Sequence, residues 1–221
     1  MQGLVFTYRK KRTRRSETLR EKAPEIKKAL AKWGAVMFFS AALAGGLLCG
    51  CLTAGGLKPD TLKNLDFFFT TNLPDRLSGG ALNAFTASFG SGFLFLLSAF
   101  LLGLSLWGAA AMPFVAFFKG YGVGVSAGYL LMTYGLKGLV FYLTALLPGI
   151  VVFSMALIYE LGSAYHMYRK ILKSLFSKAC GSFFKDALRE YSRRSLRYLA
   201  ASLAAALIDT ALWACLAGLF F

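Results

Sequence analysis

Lys119, Glu160 and Asp209 are ionisable residues within or beside long apolar runs. A charge at the middle of a membrane helix costs roughly 2.5–3.5 kcal/mol unless it finds a partner or reaches the interface. Such residues support two kinds of chemistry: an ion pair that holds helices in register, or a relay that carries protons or ions. On straight helices Lys119 lies ~9 Å beyond Pro113, Glu160 ~5 Å from the inner boundary and Asp209 ~15 Å deep. All three then share the inner half of the membrane, where Lys119 can pair with Glu160 or with Asp209. Few other polar groups line a path between them, which favours structural pairing over a relay.

Other chemistry finds little footing. His166 is the single histidine and sits between Tyr165 and Tyr168 near a membrane boundary, without a catalytic partner. No HExxH, GxSxG, phosphate-loop or dinucleotide fingerprint occurs, and no two carboxylates share a face suited to acid–base work. Cys49, Cys51, Cys180 and Cys215 form no CxxC pair, and three of them lie in apolar surroundings, where they read as buried small hydrophobes. The expectation is a chain with no enzymatic activity, no metal site and no cofactor.

The element that must carry Lys119 also holds Gly120, Gly124 and Gly128, one every fourth residue. On a helix they form one smooth ridge against which another backbone can pack closely. Hydrophobic residues make up 57% of the 221 and charged residues only 16%, with a mean hydropathy of +0.58. Water-soluble domains sit nearer 45–50% apolar and 25% charged, so this composition belongs to a membrane protein. Five runs approach the ~20 residues that a bilayer core demands of a helix: about 33–52, 92–111, 113–132, 139–159 and 199–221. The second and third are nearly continuous, and Pro113 marks a tight turn or a kink between them. The first run is too long for a signal-peptide core and is read as an uncleaved span.

Charge sets the orientation. Residues 1–32 carry eleven Lys/Arg against three Glu, and residues 164–198 carry nine Lys/Arg against Asp186 and Glu190. In residues 53–85, Lys58, Lys63 and Arg76 are balanced by Asp60, Asp66 and Asp75. The excess of Lys/Arg on cytoplasmic segments places the N-terminus and 164–198 inside, 53–91 outside, and, after five crossings, the C-terminus outside. The fold expected is an all-α, polytopic membrane helix bundle: a basic tail over 1–32, then a single transmembrane domain over 33–221. The net charge of +15 is concentrated beside spans on one face, which fits anionic membrane lipids as partners better than nucleic acid.

Two connecting segments have faces of their own. Residues 164–198 place apolar groups at helical spacing among Lys173, Lys178, Lys185 and Arg189, predicting an amphipathic helix on the inner membrane face, broken near Gly181. That helix either docks a cytoplasmic partner or rests on lipid. The outer loop, 53–91, holds Phe67, Phe68 and Phe69 followed by Asp75 and Arg76, and Ser78 is placed to cap a helix leading into the second span. Its rings either meet an extracytoplasmic partner or sink into the headgroup layer.

The order of motifs through the middle of the chain carries a resemblance. Leu101-Leu102-Gly103-Leu104-Ser105, Pro113, Phe118-Lys119-Gly120-Tyr121-Gly122-Val123-Gly124, Gly128-Tyr129-Leu130, Tyr134-Gly135-Leu136-Lys137-Gly138-Leu139 and Leu146-Leu147-Pro148 together resemble the stage II sporulation protein M family. The specific part covers about residues 100–150. One departure is visible: the family often has a polar residue straight after the proline and a glutamate soon after it, whereas Pro148 is followed by Gly149-Ile150-Val151-Val152. The resemblance implies a bacterial cell-membrane scaffold at the sporulation septum or engulfing membrane. It would recruit the peptidoglycan-degrading stage II sporulation proteins D and P without itself being a hydrolase. The competing expectation is the permease subunit of an ATP-binding-cassette-type transporter, and self-association into a homo-oligomer is open under either.

Overall fold

The computed structural model describes residues 33–56, 73–176 and 182–220, with side chains over 33–56, 82–174 and 185–215. Its elements are α1 (Trp33–Ala54), α2 (Leu73–Leu104), α3 (Gly108–Phe141), a π-helical turn (Tyr142–Leu146), α4 (Leu147–Phe176) and α5 (Ser182–Phe220). No strand occurs among the described residues. The fold is all-helical, as expected.

Among the described residues, four helical stretches are long and apolar enough to cross a membrane: Trp33–Ala54, Leu82–Leu104, Gly108–Ser174 and Lys185–Cys215. The third contains 67 residues. As a straight rod it would reach ~100 Å, far more than a ~30 Å hydrocarbon core accommodates. It doubles back at Gly135, whose φ of 61° and ψ of −144° break the helix. The Tyr142 hydroxyl accordingly donates to the Val123 carbonyl at 3.0 Å, although 19 residues separate them. A straight helix would hold those two about 28 Å apart. The described residues thus form membrane-length arms close in number to the five expected.

Nothing crowds the position where a Gly135 side chain would begin, so only its backbone conformation calls for glycine there. Gly135→Ala is expected to cost about 1–3 kcal/mol, read as a lower melting temperature in detergent for protein that still inserts. An unchanged melting temperature would show that the reversal tolerates a side chain.

The structure moves several boundaries. The reversal between α2 and α3 falls at residues 105–107, not at Pro113. There Ser105 N–H donates to the Leu101 and Leu102 carbonyls at 3.1 and 3.2 Å, and Gly108 N–H closes onto Ser105 O at 3.2 Å. Pro113 lies inside α3 as its sixth residue, past the N–H groups that a helix start leaves free, and the helix gives up one hydrogen bond there and continues. Helix α2 begins at Leu73, so Ser78 lies within it and does not cap it. Pro74, its second residue, has the preset φ that suits a first helical turn. Residues 164–198 are divided between two long helices. They are the end of α4 and the start of α5, which pack on each other through groups such as Ser163 and Tyr198, whose hydroxyls lie 3.3 Å apart. The expected break near Gly181 lies outside the described residues.

Helices α2, α4 and α5 pack most extensively on one another, and α3 packs against them. The Phe141 ring meets Trp213 edge to face, 5.3 Å between centroids at 77°. Ala84, Leu130, Tyr142, Ala145 and Leu146 close around that pair. Three of these come from the π-helical turn, where one more residue per turn redirects the helix face. Outside, large apolar side chains such as Leu52, Leu82, Phe114 and Leu136 are exposed. A surface of that kind is stable against lipid tails and not against water. Cys49, Cys51 and Cys215 are free thiols at exposed positions, so they do not read as buried small hydrophobes of a protein core.

Candidate functional site

Helix α3 has two working faces. Lys119, Gly122, Val123 and Ser126 recur at three- and four-residue spacing on one of them. Gly120, Gly124 and Gly128 stand about 150° further round the helix.

The glycine face meets α1. A Cβ on Gly124 would lie 2.8 Å from Cys51 N and 3.0 Å from Gly50 Cα, and one on Gly120 would lie 3.0 Å from Leu47 N. Gly128 faces the Ala54 methyl. Helix α1 answers in kind, with Gly46 against Tyr121 N and Gly50 against Val125 N. Two small-residue ridges, Gly46/Gly50/Ala54 and Gly120/Gly124/Gly128, therefore interlock backbone to backbone. At the same seam the Cys51 thiol lies 3.8 Å from the Gly124 carbonyl and Thr53 Oγ1 lies 3.1 Å from the Tyr121 hydroxyl. The α3 ridge alone stands out in the sequence, although Gly46, Gly50 and Ala54 carry the same four-residue spacing.

The other face of α3 opens on a cavity of about 50 Å³ shared with α2, α4 and α5. Ser88 and Ser91 reach it from α2, Lys119 and Ser126 from α3, Gly149 and Phe153 from α4, and Ser202 and Asp209 from α5. Each helix contributes residues at intervals of three, four or seven, the spacing of a single helical face. Small residues make room: a Cβ on Gly149 would lie 2.9 Å from Asp209 Cβ, and one on Gly92 would lie 2.6 Å from Ser202 Oγ. The Lys119 ammonium stands between two rings, 5.1 Å from the Phe95 centroid and 4.8 Å from that of Phe153. Aromatic faces in a desolvated site attract a cation with about 2 kcal/mol or more. Asp209 is buried, and neither it nor Lys119 is a free charge.

Glu160 belongs elsewhere. It is fully buried, and its Oε1 accepts a hydrogen bond from Ser195 Oγ at 2.9 Å. Nearby, the Tyr191 hydroxyl donates to the Phe100 carbonyl at 3.1 Å, and its ring stacks on Phe100 at 4.9 Å. Glu160 follows Phe153 by seven residues, ~10 Å along α4, and does not line the Lys119 cavity. Of the three charges singled out in the sequence, the structure brings Lys119 and Asp209 together and sets Glu160 in a second polar cluster. The cavity serines do not stand out in the sequence; Ser126 and Ser202 carry a signal in lying seven residues from Lys119 and Asp209, while Ser88 and Ser91 on α2 carry none.

Phe67, Phe68 and Phe69 lie outside the described residues, while Asp75 and Arg76 fall in the first turn of α2. No group of three or more potential metal ligands occurs among the described residues. The arrangement gathers a lysine and a buried aspartate in one cavity bordered by four helices.

Neither a curated protein nor a solved structure matches the chain at a significant level. A family model does: that of stage II sporulation protein M matches residues 34–216, from the first turn of α1 to near the end of α5. The chain is a multi-pass, sporulation-related membrane protein belonging to the stage II sporulation protein M family.

Proposed function

We propose that this protein is a non-catalytic membrane scaffold that positions peptidoglycan-degrading enzymes during engulfment. Stage II sporulation proteins D and P are the partners that the family resemblance implies. The observation that carries this reading is the interior of the bundle. Its cavity of about 50 Å³, where Lys119, Asp209 and serines meet, is small. The α1–α3 seam is in backbone contact. A closely packed bundle of this kind suits a platform better than a conduit. The surface available to extracytoplasmic partners is the outer segment 53–91, including Phe67, Phe68, Phe69, Asp75 and Arg76.

Purification in mild detergent from sporulating cells, followed by mass spectrometry, tests the reading. Extracytoplasmic peptidoglycan hydrolases are expected at near-stoichiometric yield, and loss of that yield on replacing Phe67–Phe69 by serine would assign the surface. A stoichiometric cytoplasmic ATPase in their place would make the chain a transporter subunit.

A further inference from the structure

The ends of α4 and α5 that the Lys/Arg excess places in the cytoplasm border an open groove of about 420 Å³ lined by His166, Arg169, Lys170, Lys173 and Arg194. Glu190 is the acidic residue beside it, 3.9 Å from Lys170 Nζ and hydrogen-bonded to Arg194. Among the described residues, four fixed cations against one carboxylate leave three positive charges on the groove. They lie at the membrane boundary: the Arg169 guanidinium stands 6.0 Å over the Tyr165 ring, and Tyr165 stacks with Tyr168. Tyrosines at that level mark the headgroup layer.

The face of α4 that carries the groove continues into the membrane. Met155, Tyr159, His166, Lys170 and Lys173 are spaced by four, seven, four and three residues, which is one helical face. Met155 and Tyr159 are exposed there, forming an apolar lane directly below the cations. A soluble phosphate would use only the cations. A phospholipid would use the lane as well, its phosphate in the groove and an acyl chain along Met155 and Tyr159.

We propose that this groove binds an anionic phospholipid of the inner leaflet whose headgroup carries two phosphates. A headgroup with one phosphate leaves two of the three surplus charges unmatched, whereas one with two phosphates leaves a single charge. The proposal is independent of the scaffold reading, since it concerns the opposite side of the membrane and needs no protein partner.

The test is native mass spectrometry of the full chain in mild detergent, titrated with cardiolipin, phosphatidylglycerol and phosphatidylethanolamine, with pyrophosphate as competitor. Cardiolipin is expected to bind about fivefold or more tightly than phosphatidylglycerol, from the charge it adds. The double variant Arg169→Gln/Lys173→Gln is expected to weaken cardiolipin binding about thirtyfold, since each substitution takes one positive charge from the groove. Arg193→Gln/Arg197→Gln, at exposed positions that do not line the groove, is expected to change it by less than about twofold. Glu190→Gln removes the carboxylate that Lys170 and Arg194 share and is expected to tighten binding about fivefold, an outcome that misfolding cannot mimic. Equal losses in the two double variants would reduce the effect to diffuse surface attraction and overturn the site. So would equal affinity for the three lipids, or weaker binding in Glu190→Gln. Displacement of bound lipid by pyrophosphate alone would make the groove a site for soluble phosphates and overturn the lipid assignment.

Discussion

Gly124→Leu is expected to separate α1 from α3 and to abolish folded accumulation in the membrane. Its Cβ alone would lie 2.8 Å from Cys51 N and 3.0 Å from Gly50 Cα, both backbone atoms that no rotamer change can move aside. Overpacking a core costs about 1–3 kcal/mol when side chains can adjust and more when they cannot. A marginally stable bundle has little to spare against that loss. Gly124→Ala is the graded control, with the same clash and fewer atoms. Yield after detergent extraction, together with a monodisperse elution profile, is the measurement. Normal yield and normal partner recovery for Gly124→Leu would show that the α1–α3 seam is not needed for either.

The second large effect is expected at the buried charges. Lys119→Met leaves Asp209 in the cavity without the ammonium that shares it, and removing one member of a buried charge pair typically costs about 3–5 kcal/mol. The expected result is a sharp fall in folded protein. Adding Asp209→Leu is expected to restore much of it, because replacing both members by apolar groups is often close to neutral. Adding Glu160→Leu instead is expected to restore nothing, since Glu160 is held by Ser195 in the separate cluster. The order of melting temperatures across the two double variants decides the matter. Rescue by Glu160→Leu, or by neither, would remove the case for pairing between Lys119 and Asp209. A relay would show itself differently, as proton flux in vesicles that the Lys119→Met/Asp209→Leu variant loses while remaining folded.

The spans and the glycine ridge were legible in the sequence because both are local properties. Apolar run length and a four-residue repeat survive any arrangement of helices. What the ridge packed against was not legible, although Gly46 and Gly50 were in plain view, since nothing local says which of two small-residue faces will meet. Which acid shares a cavity with Lys119 was half legible: the sequence offered Glu160 and Asp209 in the same half of the membrane, and only packing distinguishes them. The cavity serines were hidden for a chemical reason. A serine or threonine in a membrane helix can satisfy itself by donating to the carbonyl four residues back, as Ser98 does to Leu94 at 2.8 Å and Ser126 to Gly122 at 2.9 Å. Its presence in an apolar run is therefore weak evidence of a shared site. Pro113 misled because proline is the strongest local breaker, yet α3 runs through it with one hydrogen bond forgone.

The two faces of α3 also set a timetable for biogenesis. By the time α3 emerges from the ribosome, α1 is complete, and the glycine face has its partner waiting. The Lys119 face has not, because Asp209 follows about 90 residues later, a delay of roughly 5–20 s at ordinary rates of synthesis. During that interval the lysine bears its insertion cost of about 2.5–3.5 kcal/mol, with α2 and then α4 supplying only aromatic rings and serines. Docking on α1 helps retain α3 in the bilayer until α5 arrives, and the lysine shares its cavity with a carboxylate only once Asp209 has been made.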